Sequence, residues 1–150
     1  MRRIIITVFL VALLLLGGLV TVTPAGGDDA PDLVTVVTSG EPQTQLMAMV
    51  LTMQAVKQGA EAHILLCGSG GDLGLADASD SVTAPQPPQG MSPQGLMQNL
   101  MESGAKVEVC AIYLPGLGEE EDVLLDGITV AEPPAMAEIM MAPESKVWSF

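Results

Sequence analysis

Glu61-Ala62-His63-Ile64-Leu65-Leu66-Cys67 is almost continuously apolar, the pattern of a strand covered on both faces rather than one half-exposed to water. A strand buried on both sides belongs to a parallel sheet with helices above and below it. On its N-terminal side, residues 45–58 carry Leu46, Met47, Met49, Val50, Leu51, Met53, Ala55 and Val56. They are apolar almost all round, which predicts a helix buried on more than one side and ended by Gly59. Before that helix, the β-branched run Asp32-Leu33-Val34-Thr35-Val36-Val37-Thr38 is stopped by Ser39-Gly40-Glu41-Pro42, a strand followed by a breaker cluster.

After Cys67 the periodicity vanishes. Residues 68–90 are rich in Gly, Asp, Ser and Pro and predict a long loop at a strand's carboxyl end, a kind of segment that in compact domains is functional or mobile. Ser92 and Pro93 then supply the cap and first residue of a helix running to Ser103 and closed by Gly104. Residues 106–112 predict a third strand. Glu119-Glu120-Glu121-Asp122 suit the first turn of a short helix starting near Gly118. Asp126-Gly127 turns into Ile128-Thr129-Val130, Glu132-Pro133-Pro134 opens a helix over residues 135–141, and residues 146–149 read as a last strand. Strand and helix alternating in this way predict an α/β fold: a doubly wound three-layer sandwich with a mainly parallel sheet of about five strands.

The first residues stand apart from the fold. Arg2 and Arg3, an unbroken apolar run and the small-residue end at Thr23-Pro24-Ala25 read as a secretory signal peptide over residues 1–25. An uncleaved N-terminal anchor is the alternative, because the run approaches the ~20 residues that span a bilayer. Residues 26–150 are then one exported domain, expected in the periplasm or another extracytoplasmic space, with no membrane contact unless the signal stays uncleaved. Both arginines belong to the signal, so Lys57, Lys106 and Lys146 face all eighteen acidic residues. Such a chain is repelled by phosphate backbones, which excludes nucleic acid as a partner.

The order of parts resembles the DsrE/DsrF-like family. The resemblance rests on the strand ending Thr38-Ser39-Gly40, the strand into Leu65-Leu66-Cys67-Gly68, the Val107-Glu108-Val109-Cys110 strand end and the Leu125-Asp126-Gly127 turn before a Pro-Pro helix. It spans residues 33–150. It implies a doubly wound α/β domain assembled into oligomers and, in some members, sulfur trafficking. There, sulfane sulfur rides as a persulfide on a cysteine at the position of Cys110, which implies a sulfurtransferase or sulfur carrier with a donor or acceptor protein as partner. The sulfur-relay members are cytoplasmic, whereas this chain carries an export signal.

Cys110 is accordingly the candidate catalytic residue. Ligands and chemistry in open α/β sheets gather at the carboxyl ends of strands, so Cys67, Gly68 and Ser39 are secondary candidates. A carrier needs an accessible thiolate; a helix near Gly118 would favour it, and Glu119 to Asp122 would oppose it. The rival is a Cys67–Cys110 disulfide in a non-enzymatic module that binds a small ligand, a copper ion or a protein. Bridging needs Cα atoms within about 7 Å, whereas parallel strands lie ~4.8 Å apart as neighbours and ~10 Å apart with one strand between. Strand order therefore decides whether a bridge can form.

Other residues carry less. Met49/Met53 and Met97/Met101 stand at helical spacing and, with Met91 near the loop, could present thioethers to Cu(I), although methionine at that spacing is usually core filling. His63, the one histidine, reads as a satisfied strand residue, and neither it nor Lys106 is placed beside Cys110 by the sequence. Asp72, Asp77 and Asp80 lack the spacing of a calcium loop and read as solvated. Gly68-Ser69-Gly70-Gly71 lacks the lysine of a P-loop, and no cofactor or resident metal is expected.

Overall fold

The computed structural model describes residues 32–150; the stretch read as a signal, residues 1–25, lies outside the described residues. β1 (Asp32–Val37) leads into α1 (Pro42–Val56) and β2 (Glu61–Leu66). A 3-10 segment at Gly68–Gly74 and the short α2 (Asp80–Thr83) precede α3 (Pro93–Glu102) and β3 (Lys106–Val109). Then come α4 (Tyr113–Leu117), a second 3-10 segment at Glu121–Val123, β4 (Thr129–Val130), α5 (Pro133–Met141) and β5 (Lys146–Ser149). The five strands form one sheet in the order β4-β3-β2-β1-β5. Every neighbouring pair is parallel.

Alternation along the strands sorts their side chains between two faces. Val37, Ile64, Leu66, Val107 and Val109 point to one face, where Ala48 and Met49 of α1 and Leu96, Met97 and Leu100 of α3 cover them in the main core. Fully burying side chains of this size contributes about 1.5–3 kcal/mol each. On the opposite face Val34, Leu65 and Ala131 meet Met136 of α5 in a smaller core. Helices on both faces of a parallel sheet make the α/β sandwich that the alternating sequence predicts.

Several elements differ from the sequence-based expectations. α1 starts at Pro42 rather than at residue 45, because proline at the first helical position has its φ already set and loses no needed N–H. It touches both the sheet and α3, yet it buries the polar Gln45 and Thr52 while Met47 and Leu51 remain exposed. Thr52 is satisfied there by Thr35, hydroxyl to hydroxyl at 2.7 Å, and by donating to the Ala48 carbonyl at 2.8 Å. Met49 and Met97 are fully buried, and Met53, Met91 and Met101 pack against the same core. The helically spaced methionines thus fill space between helices and sheet.

The expected long loop is in large part built structure. Leu73 and Val82 from it are core residues, and the Gln94 amide donates to the carbonyls of Leu73 and Leu75 at 3.0 and 2.9 Å. Glycine makes this packing feasible: a Cβ on Gly70 would overlap the Val37 carbonyl, and one on Gly71 would overlap the Tyr113 ring. β3 stops at Val109 instead of running to Ile112, because β4 offers partners only to Glu108 and Val109 and a turn from Cys110 carbonyl to Tyr113 N–H, 2.9 Å, bends the chain away. The short helix does not begin near Gly118. Gly118 ends α4 in the left-handed region at φ 77°, so Glu119 and Glu120 follow that helix, and Glu121 and Asp122 form the acidic first turn of the second 3-10 segment, Glu121–Val123.

Candidate functional site

The register of β2 against β3, with Leu66 beside Val109, brings Cys67 and Cys110 side by side one step past the strand ends. Their Cα atoms are 5.2 Å apart and their sulfurs are bonded. The strand order allows this, since β2 and β3 are neighbours and a bridge spans them without displacement. Both backbones continue the ladder beyond the strands. Cys67 N–H donates to the Val37 carbonyl at 2.9 Å, and Cys110 N–H donates to the Leu66 carbonyl at 2.8 Å. Both side chains leave on the α5 face and are half-buried there against the smaller core.

The bridge lines a cleft of about 430 Å³ together with Gly68, Ser69, Asp72, Tyr113 and Leu117. Ile112, 82% exposed, stands at its rim. Gly68, at φ 52°, turns the chain out of Cys67 into the 3-10 segment, whose first hydrogen bond runs from Gly70 N–H to the Cys67 carbonyl at 3.0 Å. Tyr113 donates its hydroxyl to Asp72 Oδ1 at 2.7 Å. Burial, reinforced by that hydrogen bond and the aspartate's charge, pushes the Tyr113 hydroxyl far above its usual range, so it stays a proton donor in the cleft wall. In the sequence Asp72 reads as a solvated loop residue, and Tyr113, the chain's one tyrosine, carries no local mark of a role. The neighbouring Gly70-Gly71 pair was the available signal, because paired glycines mark close approach.

Ser39 is not brought to this cleft. It sits past β1, where the sheet's connections reverse between β1 and β5, the kind of crevice in which α/β sheets bind ligands. Here the pairing of β1 with β5 runs on through Phe150: its carbonyl accepts from the N–H groups of Thr38 and Ser39 at 2.8 and 3.3 Å, and its own N–H donates to the Val36 carbonyl at 2.9 Å. The Ser39 hydroxyl accepts from Glu41 N–H at 3.1 Å, a local turn just before α1.

The α5 face of β2 and β3 carries a second polar group nearer the strands' amino ends. Glu108 receives His63 Nε2 at 2.5 Å and Lys106 Nζ at 2.9 Å, and Thr129 Oγ1 at 3.4 Å. Burial pushes the Glu108 carboxyl up, but the hydrogen bonds from Lys106 and His63 and their positive charge outweigh it and hold the group below its usual range. His63 is thus tied to a carboxylate, and Lys106 and Glu108 precede Cys110 at alternate positions of one strand face. Asp77 and Asp80 stay exposed. Among the described residues, no three His, Cys, Asp or Glu side chains gather as a metal site, and no helix is long and apolar enough to cross a membrane.

No protein-family model and no curated protein matches the sequence. Solved structures do. A protein of unknown function from Methanobacterium thermoautotrophicum, MTH1491, superposes with a TM-score of 0.59 at 12% identity, covering 80% of this chain and 99% of its own. The ychN protein from E. coli superposes with a TM-score of 0.57 at 18% identity, covering 79% and 99%. At these identities the likeness is one of fold, and it spans nearly the whole of both neighbours. The described chain thus shares the α/β fold of MTH1491 and ychN, with its two cysteines joined just past the carboxyl ends of the two adjacent strands β2 and β3.

Proposed function

We propose that the protein works in sulfur trafficking, with Cys110 as the residue that takes up sulfane sulfur as a persulfide. The observation that carries this reading is the Cys67–Cys110 pair itself, set at strand ends on the floor of an open cleft. In the bridged form neither sulfur is a nucleophile, so an external dithiol must first open the pair, becoming a disulfide as Cys67 and Cys110 become thiols. The Cys110 thiolate then attacks the outer sulfur of a donor persulfide, R–S–SH. The S–S bond of the donor breaks, R–S⁻ leaves with the electron pair, and Cys110 carries the extra sulfur. Export and self-assembly belong to the same proposal; the first rests on residues 1–25 and the second on the family resemblance.

The test uses the full chain with Cys67→Ser, so that Cys110 is a free thiol. Incubation with glutathione persulfide is expected to add about 32 Da, one sulfur atom, to the peptide holding Cys110. Cys110→Ser protein should gain nothing. Absence of an adduct on folded Cys67→Ser protein would overturn the reading in favour of a second one, a non-enzymatic binding module in which the bridge only staples two strands. That second reading draws on the half-burial of both cysteines.

A further inference from the structure

We propose that Cys67 is a resolving cysteine, and that the pair reduces bound sulfane sulfur to sulfide instead of passing it on intact. This role rests on the carrier reading, because it concerns the fate of the persulfide once Cys110 holds it. The geometry leaves a Cys110 persulfide no isolation. The two Cα atoms are 5.2 Å apart, inside the span that a disulfide bridges without backbone movement, and both side chains stand on one face of the sheet.

Opening the bridge does not let the thiols drift apart. Cys67 is held by its N–H on Val37 and its carbonyl on Gly70, Cys110 by its N–H on Leu66 and its carbonyl on Tyr113, each at 2.8–3.0 Å. The two N–H bonds continue the five-stranded parallel sheet, the two carbonyl bonds close the turns that follow it, and none of them involves a sulfur. Groups fixed in this way react as if at effective concentrations of up to about 10⁵ M. An external acceptor thiol, whatever its affinity for the cleft, competes poorly with a neighbour in that position.

From the reduced pair onward, one turnover needs no reagent beyond the persulfide. When Cys67 attacks the outer sulfur of the persulfide, that sulfur moves to Cys67 and the same choice recurs. When Cys67 attacks Cys110 Sγ, the bond between Sγ and the outer sulfur breaks and HS⁻ leaves with the electron pair. The Cys67–Cys110 disulfide forms, which is the state seen in the structure. Across both steps, R–S–SH and two protein thiols give R–SH, H₂S and the bridged protein: the sulfane sulfur gains two electrons and the cysteine pair loses two. An external dithiol returns the pair to its starting state. The substrate class is therefore a persulfide on a small or protein-borne thiol, admitted by the cleft of about 430 Å³ beside the bridge.

A single-turnover experiment on the full chain tests this. Protein reduced with a dithiol and freed of it is mixed with one equivalent of glutathione persulfide, and released sulfide and intact mass are read together. Wild type is expected to release about one sulfide per chain and to end about 2 Da lighter than the reduced protein, the loss of two hydrogen atoms on bridging. Cys67→Ser and Cys67→Ala proteins are both expected to keep the ~32 Da adduct and to release less than roughly a tenth as much sulfide. An adduct that persists on both wild type and the Cys67 variants, without sulfide, overturns the resolving role and leaves the carrier reading standing. Failure of the folded Cys67 variants to take up sulfur overturns the carrier reading itself, and the resolving role with it.

Discussion

The α5 face of β2 and β3 bears two polar constructions, one at each end, and they are held by different physics. At the carboxyl end a covalent bond joins Cys67 to Cys110 beside an open cleft. Toward the amino end an ionic cluster joins Glu108 to His63 and Lys106. The larger hollow, about 590 Å³, is at the amino end and is lined by His63, Lys106 and Glu61. The covalent bond thus lies beside the smaller of the two hollows. The Glu108 carboxylate has its charge and hydrogen bonds already met, whereas the half-buried cysteine pair lines the cleft and can change its bonding state. A satisfied cluster has no bond left to exchange, whereas a disulfide can be opened by a thiol.

That contrast is broken most strongly by cutting the covalent end. The bridge closes a loop with a sequence separation of 43, so replacing both cysteines by serine should lower unfolding stability by about 4 kcal/mol on the chain-entropy account. Urea titration would show it as a lower midpoint, and a domain with this large an apolar core should remain folded afterwards. A midpoint unchanged from wild type would remove the bridge from the list of stabilising features.

Cutting the ionic end should matter less. Glu108→Gln keeps the shape and removes the charge that His63 and Lys106 hold, at a cost of about 2 kcal/mol, in the range for hydrogen bonds to a charged group. The pH dependence supplies a sharper reading. The folded Glu108 carboxyl titrates below its unfolded value of about 4.3, so the stability it contributes is fully present above that pH and is lost as pH falls through the folded value. The gap between wild type and Glu108→Gln should therefore be constant near neutrality and close as the pH drops below about 4. Sulfide release by the cysteine pair at neutral pH should be the same in both.

Two smaller changes probe the cleft wall. Gly71→Ala would drive a methyl into the Tyr113 ring and should destabilise by about 1–2 kcal/mol through overpacking, while also speeding reduction of the bridge by a dithiol as the ring is displaced. Tyr113→Phe removes only the hydroxyl donated to Asp72 and should lower stability by about 1 kcal/mol. If Gly71→Ala left both the unfolding midpoint and the reduction rate unmoved, the close contact of glycine and tyrosine would not be shaping the cleft.

Much of the fold was legible because its elements are locally coded. The apolar run over β2, the Ser92-Pro93 opening of α3 and the last strand at Lys146–Ser149 each follow from composition and turn chemistry. What failed to read were elements whose structure depends on distant partners. Residues 68–90 have no periodicity, yet Leu73 and Val82 are buried by helices and strands far along the chain. α4 ends where the sequence predicts a helix to begin, because a glycine such as Gly118 can open or close a helix by sequence alone, and only its left-handed backbone shows that it closes one. The site was half legible. Cys110 and Cys67 were marked by their strand ends, whereas the Asp72–Tyr113 contact spans 41 positions and has no local signature.

By itself the sequence determined the class of fold, the two thiols and their place at strand ends, since apolar patterning and turn residues act over a few positions. The tertiary structure decided that those thiols are partners. Their pairing depends on β2 and β3 lying side by side in one register, and strand order is set by how every helix and strand packs at once, a property that no local stretch of residues contains.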